Sequence, residues 1–291
     1  MSEYIIMTDS SCDLSAAEVA ELNLTVVPLS FHMDGKDYLD TPDHGDMPME
    51  EFYRRLDAGA ECTTAAVSVG RFVDAMRPIL QSGKDILYIA FSSGLSTTYQ
   101  SGCIAAEDLR QEFPERKITV IDSLSASRGQ GMLVYRAVQE KNKGKTMEEV
   151  EAFVREAIPG QCHWFTVNDL YHLKRGGRVS ATTALVGTML SIKPVMHTDI
   201  EGHLTPVGKA RGMKGALKAL VDGMEKLGVG DLSKQTVFIC HANCPDNVAF
   251  ISKELQDHFG VTDIRPEFIG PVIGSHTGCG TLGLFFVGRE R

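Results

Sequence analysis

The sequence predicts an α/β protein: an N-terminal domain with a doubly wound, mostly parallel sheet and a C-terminal α/β domain with an antiparallel or mixed sheet. In the first half, short apolar runs alternate with helical patterns, as in βαβ units. In the second half, the turn DIEG at residues 199–202 predicts a hairpin, because Gly202 can supply a positive φ. Pro159-Gly160 marks the predicted boundary, which gives domains 1–159 and 160–291.

The first-half elements follow from the period of the apolar residues. Residues 86–90 are apolar throughout, as expected for a strand buried on both faces of a parallel sheet. Ser15 and Glu18 have the spacing of a capping box at the start of a helix. The predicted strands are 4–7, 24–28, 86–90 and 118–121, and the predicted helices are 15–22, 69–80, 97–111, 129–143 and 146–157.

The second-half elements include more strands. The closing segment GPVIGSHTGCG (270–280) is glycine-dense and precedes a strand-like run. The predicted strands are 163–167, 191–198, 203–210, 237–240 and 263–268, and the predicted helices are 169–174, 182–190, 214–227 and 246–259.

Composition excludes several classes of protein. The chain has 291 residues and a net charge of −9, which argues against nucleic acid and against tight docking on anionic lipid. No apolar run is long enough to span a bilayer, and the N-terminus MSEYIIMTDSS lacks signal-peptide features. Seven cysteines without paired spacing indicate free thiols. We expect a cytoplasmic protein with no stable membrane insertion.

Polar turns follow two of the predicted strands. Ser92, Ser93 and Gly94 come directly after residues 86–90, where we expect the first free N–H groups of the next helix to bind an anion. The turn TDSS at residues 8–11 ends the first strand, and it is expected to share the same crevice. The residues alone leave phosphate, carboxylate and sulfate open as the anion.

Signals of catalysis or metal binding are weak. The sequence has no G-x-S-x-G nucleophile turn and no GxxxxGK[ST] phosphate loop. Cys240-His241-Ala242-Asn243-Cys244 lacks a second Cys/His pair for zinc. Asp9 and Asp122 end strands, and we expect them to cap helices and accept loop N–H groups. No catalytic residue, metal or cofactor is predicted.

A set of segments spread over the chain points to one family. The segments are TDSSCDL (8–14), TTAAVS (63–68), FSSGLSTTYQS (91–101), VIDS (120–123), NDLYHLKRGGRVS (168–180), LVGTMLSIKPV (185–195), KARGMKGAL (209–217) and GPVIGSHTGCG (270–280). In order and approximate spacing they resemble the DegV family of bacterial fatty-acid-binding proteins. The combination of SSGLS, LKRGGR and HTGxG is more specific than any one of them.

The resemblance implies a binding protein for a long-chain fatty acid. It implies that Thr64, Ser93 and His276 hold the carboxylate, with the acyl chain buried between the domains. Some members are the acyl-carrying subunit of a fatty acid kinase, which implies a separate ATP-binding kinase subunit as partner. Secondary candidates are Ser92, Arg178 near the headgroup, and Arg211, whose family counterpart is linked to acyl phosphorylation by that partner.

One departure from the family pattern leaves the threonine open. Ala65-Ala66-Val67 stands where members commonly have Ser-Gln-Pro, so Thr63 could replace Thr64 if the loop register differs. The tunnel walls are expected among Phe31, Phe91, Leu185, Met189, Leu190 and Ile192. Two other hypotheses remain: an enzyme acting on a small anionic or phosphorylated metabolite in the inter-domain crevice, and a lipid-loaded interaction protein whose partner is not a kinase.

Overall fold

The computed structural model describes residues 3–180 and 191–291. The predicted helix 182–190 and the expected wall residues Leu185, Met189 and Leu190 lie outside the described residues. The described strands are β1 Tyr4–Asp9, β2 Thr25–Val27, β3 Ser30–Met33, β4 Lys36–Leu39, β5 Cys62–Ala65, β6 Asp85–Ala90, β7 Ile118–Asp122, β8 Gln161–Thr166, β9 Ile192–Thr198, β10 Leu204–Arg211, β11 Val237–His241, β12 Ile264–Phe268 and β13 Leu282–Val287.

The helices alternate with these strands along much of the chain. We number them α1 Ala16–Glu21, α2 Met49–Asp57, α3 Val69–Gln81, α4 Thr98–Glu112, α5 Ser127–Asn142, α6 Met147–Ala157, α7 Tyr171–Arg175, α8 Gly212–Leu227, α9 Pro245–Phe259 and α10 Pro271–Thr277. The capping box predicted for Ser15 and Glu18 is confirmed at the start of α1. None of the described helices is long and apolar enough to cross a membrane.

A four-stranded parallel sheet in the order β2-β1-β6-β7 forms the N-terminal part. Its central strand β6 is buried at every residue, as its apolar sequence predicts. Alternate residues of β6 enter two different cores: Leu87 packs in the cluster that includes Leu133 of α5, and Tyr88 packs with Phe72 of α3. Both faces of the sheet are therefore covered, and the doubly wound prediction is confirmed.

A six-stranded mixed sheet in the order β10-β9-β8-β13-β11-β12 forms the C-terminal part. β11 and β12 are parallel and the other neighbours are antiparallel. The predicted hairpin joins β9 to β10, and Gly202 in its turn has φ +82°. The boundary predicted at Pro159-Gly160 falls between β7 and β8, and the division into domains 1–159 and 160–291 stays a prediction.

A third sheet, antiparallel and in the order β4-β3-β5, was absent from the prediction together with α2. Both had readable signals. Asp34-Gly35 is a hairpin turn pair, and both residues have positive φ (53° and 76°). In α2 the apolar residues recur at helical spacing and are buried: Met49, Phe52, Tyr53 and Leu56. The strands β3 and β4 have only four residues each, so an alternating pattern has little length over which to be recognised.

Candidate functional site

A cavity of about 470 Å³ lies against one face of the six-stranded sheet. Its volume is in the range of roughly 300–1,000 Å³ that is usual for small-molecule sites. Most of its described wall is apolar, and the apolar lining residues come from many elements: Leu29, Ala65, Ala66, Phe91, Leu95, Ala126, Phe165, Leu173, Leu204, Cys240, Ile269, Val272, Ile273 and Phe285. An elongated apolar molecule would be desolvated by such a wall.

The expected wall residues are only partly right. Phe91 lines the cavity. Phe31 does not, because it packs on the rings of Tyr38 and Phe52, with ring centroids 5.1 and 5.7 Å away. Ile192 is also absent from the described lining. Apolar sequence positions alone could not separate the cavity wall from the neighbouring core.

Two of the predicted site residues are in direct contact at the cavity wall. Thr64 Oγ1 and His276 Nε2 are 2.8 Å apart, which joins β5 to α10 across 212 residues of sequence. Thr63 is exposed and is not among the described lining residues. Of the two threonines, the structure thus brings Thr64 to the cavity and leaves Thr63 outside it.

The His276 ring is fixed by close backbone approach. A Cβ on Gly176 would lie 2.1 Å from His276 Nδ1, so the first glycine of LKRGGR makes room for the imidazole. Burial, followed by the charges of Arg178 and Arg175, lowers the pKa of His276 to about 4. The imidazole is therefore neutral at pH 7, with one nitrogen as donor and the other as acceptor.

Ser93 lines the cavity, but not from a helix N-terminus. α4 begins at Thr98, so residues 92–94 lie in a turn before the helix, and their predicted position at the first free N–H groups of a helix is wrong. The backbone N–H of Ser93 is used within the protein, because it donates to Asp122 Oδ1 at 3.2 Å. What Ser93 can offer a ligand is its hydroxyl.

Ser92 is turned away from the cavity. It is fully buried, and its Oγ donates to the carbonyl oxygen of Gly202 at 2.9 Å. A Cβ on Gly202 would lie 2.2 Å from Ser92 Oγ, so the β9–β10 turn packs directly on the turn after β6. Ser92 positions this turn, and it is not part of the cavity lining.

Arg178 brings a positive charge to the cavity wall. Its Nη2 donates to Leu95 O at 2.9 Å, and its Nη1 donates to Gly176 O at 2.5 Å. Among the described residues, no carboxylate lies within 4.0 Å of this guanidinium. Burial lowers the pKa of Arg178, yet a guanidinium keeps its proton at neutral pH. Arg211, at the end of β10, is exposed and is not among the lining residues.

The turn after β1 does not share the crevice as predicted. Thr8, Asp9, Ser10 and Ser11 are buried and do not line the cavity. The Asp9 carboxylate accepts from Tyr88 Oη at 2.7 Å, from Phe91 N at 2.9 Å and from Ser11 Oγ at 2.5 Å. The predicted roles of Asp9 and Asp122 as acceptors of loop N–H groups are confirmed.

Arg291 holds together segments that line the cavity, and no sequence pattern indicated this role. Its guanidinium is buried, and all five N–H donors are used. The acceptors come from three separate segments: Ser123 O, Leu124 O, Ser125 Oγ, Ile158 O and Asp199 O. The loop after β7 is thereby held against the β9–β10 hairpin, and the two segments carry the lining residues Ala126 and Thr198.

The fold and the cavity define a class of protein: an α/β protein with a mainly apolar cavity whose wall carries a His–Thr pair and an arginine that has no carboxylate partner among the described residues. A family model described as "Uncharacterised protein, DegV family" matches residues 4–289. The chain belongs to the DegV family, as the sequence motifs predicted.

Individual relatives are similar over their whole length. A DegV domain-containing protein of Clostridium perfringens is 41% identical over 291 residues, which cover 100% of this chain and 99% of the relative. A fatty-acid-binding DegV protein from Thermus thermophilus has a TM-score of 0.86 and 31% identity, covering 98% of this chain and 99% of that one. A stearic-acid-binding protein from Eubacterium ventriosum has a TM-score of 0.88 and 25% identity, covering 98% of both chains.

Proposed function

We propose that this protein binds one long-chain fatty acid, with the carboxylate at Thr64, Ser93 and His276 and the acyl chain in the apolar cavity. The observation that carries the proposal is the contact between Thr64 and His276 at the wall of a cavity that is otherwise mainly apolar. Solved relatives that bind fatty acids, including stearic acid, support the same ligand class.

The polar groups suit a carboxylate. Thr64 and His276 share one hydrogen bond, which uses one donor of the pair in either tautomer, so the pair has one donor left for an oxygen acceptor and the Ser93 hydroxyl has a second. A hydrogen bond to a charged group contributes about 1.5–3 kcal/mol net, so two of them offset part of carboxylate desolvation. Arg178 adds a positive charge that the described residues do not neutralise.

The acyl chain supplies the driving force. Each CH₂ moved from water to an apolar wall contributes roughly 0.8 kcal/mol, so a chain of more than a dozen carbons outweighs its lost rotamer freedom. A small phosphorylated metabolite would leave most of this wall without a partner. The cavity therefore favours the lipid over the metabolite hypothesis.

Two adjacent threonines give a matched test. Purified protein is extracted for lipid and analysed by native mass spectrometry, and palmitate and oleate affinities are measured. Thr64→Val should weaken binding about tenfold or more, because one donor to a charged group is lost. Thr63→Val, at an exposed position of the same strand, should bind like wild type. Recovery of no acyl chain, together with no binding of palmitate or oleate, would overturn the proposal.

We propose as well that the bound carboxylate is presented to a separate ATP-binding kinase subunit, which forms the acyl phosphate. The absence of a phosphate-binding loop from this sequence supports a division of labour, and Arg211 is exposed for contact with a partner. Arg211→Ala should keep fatty acid binding and lose acyl phosphate formation with the partner and ATP. A pull-down that recovers only partners without ATP binding would favour the interaction-protein hypothesis.

A further inference from the structure

Two histidines at the carboxylate end of the cavity pack reciprocally on two glycines. A Cβ on Gly176 would lie 2.1 Å from His276 Nδ1, and a Cβ on Gly278 would lie 2.5 Å from His172 Cδ2. Both distances are below the 3.0 Å that real Cβ atoms keep from other heavy atoms, so neither position has room for a side chain. Each of the segments LKRGGR and HTGxG therefore provides a glycine against which a ring from the other region packs.

The two glycines occupy equivalent places in the fold. Gly176 is the C-cap of α7, and Gly278 is the C-cap of α10. Each ring comes from the opposite helix, because His172 belongs to α7 and His276 belongs to α10. The last turns of the two short helices are thus fitted together by two contacts that run in opposite directions.

This packing bears directly on the contact between His276 and Thr64. The Nδ1 atom of the His276 ring lies against Gly176, and the Nε2 atom lies 2.8 Å from Thr64 Oγ1. The backbone beside the ring is also tied to α7, because Arg175 Nη2 donates to Ser275 O at 3.3 Å. A ring that is pushed away from Gly176 therefore changes its position relative to Thr64.

The backbone does not explain a glycine at position 176. Gly176 has φ −75° and ψ −7°, in the right-handed region that alanine adopts readily. The neighbouring Gly177 is the opposite case, because its φ is +71° and no described atom lies within 4 Å of an added Cβ. The backbone thus requires the second glycine of LKRGGR, and the His276 ring requires the first.

We propose that Gly176 is a positioning residue of the fatty acid site, and that its missing side chain sets His276 against Thr64. The reciprocal contact of His172 with Gly278 holds α7 and α10 together. Gly176 is not among the described residues that line the cavity, so it acts through His276. The role in ligand binding rests on the proposed function, and it is separate from the charges of LKRGGR.

Gly176→Ala tests the inference, because alanine suits this backbone and the change adds one methyl group. The Hε1–Cε1 NMR signal of His276, identified by its absence from His276→Ala, should shift. Palmitate affinity should fall about tenfold or more, as for one lost hydrogen bond to a charged group. Gly70→Ala, at an exposed position of α3 with no described atom within 4 Å of the added Cβ, should leave both unchanged.

A double variant separates positioning from a general structural effect. In the His276→Ala background, Gly176→Ala should cause no further loss of palmitate affinity, because the ring that the methyl group displaces is gone. An additional loss in the double variant would overturn the inference. An unchanged His276 signal or an unchanged affinity in Gly176→Ala would overturn it as well.

Thermal unfolding of each variant checks that it folds. If Gly176→Ala does not fold, the double variant decides: a folded double variant supports the contact with His276, and an unfolded one overturns it. If the wild type fails to bind palmitate, the proposed function is what has failed, and the NMR signal still tests how Gly176 positions His276.

Discussion

Two serine-containing turns follow neighbouring parallel strands of the same sheet, but only one of them reaches the cavity. In the turn after β1, Ser10 and Ser11 are buried and hydrogen-bonded to the protein, and we call it the sealed turn. The turn after β6 reaches the cavity through Ser93. Both have the sequence pattern of an anion site. The comparison teaches that such a turn becomes a site only where the fold leaves its polar groups to a ligand.

The difference lies in the acceptors that surround each turn. Beside the β1 turn, Asp9, Asp40 and Gln130 accept from its hydroxyls. Beside the β6 turn, Asp122 accepts the Ser93 N–H, and Gly202 O takes the Ser92 hydroxyl. The Ser93 side chain, in contrast, lines the cavity. Ser92 is therefore structural, whereas the neighbouring Ser93 is available to a ligand.

The largest expected effect comes from removing the central acceptor of the sealed turn. Asp9→Ala leaves Tyr88 Oη and Phe91 N without their buried acceptor, and it leaves Ser11 Oγ with Gln130 Oε1 alone. We expect a loss of about 3–5 kcal/mol in the free energy of unfolding, measured by urea denaturation. Asp122→Ala, at the more exposed last residue of β7, should cost about 1–2 kcal/mol. A loss below about 1 kcal/mol for Asp9→Ala would contradict the sealed-network interpretation.

An intermediate effect should separate the two turns directly. Ser10→Ala leaves Leu29 N–H without its acceptor and removes one of the hydrogen bonds to Asp40, so it should cost about 1–3 kcal/mol of stability and leave fatty acid affinity unchanged. Ser93→Ala should do the reverse, with roughly tenfold or more weaker binding and little change in stability. The comparison breaks down if both variants lose the same property.

A further expected effect is a pH dependence of stability that originates beside the sealed turn. Burial raises the pKa of Asp13 from 3.8 to about 7, against hydrogen bonds from Ser127 Oγ and Gly270 N. Between these two pH values the folded protein holds a proton that the unfolded chain has lost, so stability should fall as pH rises from about 4 to about 7.

Asp13→Asn isolates this contribution. The variant should show a weaker fall in the free energy of unfolding over the same pH window, measured by urea denaturation at each pH. Asp9, whose pKa is also raised by burial, remains in both proteins. The pKa of Asp40 is raised by burial and then by the Asp13 charge, so the difference in slope reports the Asp13 charge including its effect on Asp40. Identical slopes for wild type and variant would rule out Asp13 as a contributor.

Much of the architecture could be predicted because it depends on local pattern. Three features lie where the sequence predicts them: the uninterrupted apolar run of β6, the capping box of α1 and the turn that contains Gly202. The missed sheet of β3, β4 and β5 had the Asp34-Gly35 turn as its one clear signal. α10 was hidden by its glycines, although Pro271 is a common first residue of a helix.

The sequence by itself determined the fold class, the family and the motifs that carry Thr64, Ser93 and His276. The tertiary structure decided which of these polar groups face the cavity: Thr64 and not Thr63, Ser93 and not Ser92. It also brought in Arg291, which no motif marks. The physical reason is that strand period and capping act over a few residues. The partner of a polar side chain is chosen among atoms that folding brings together from distant parts of the chain.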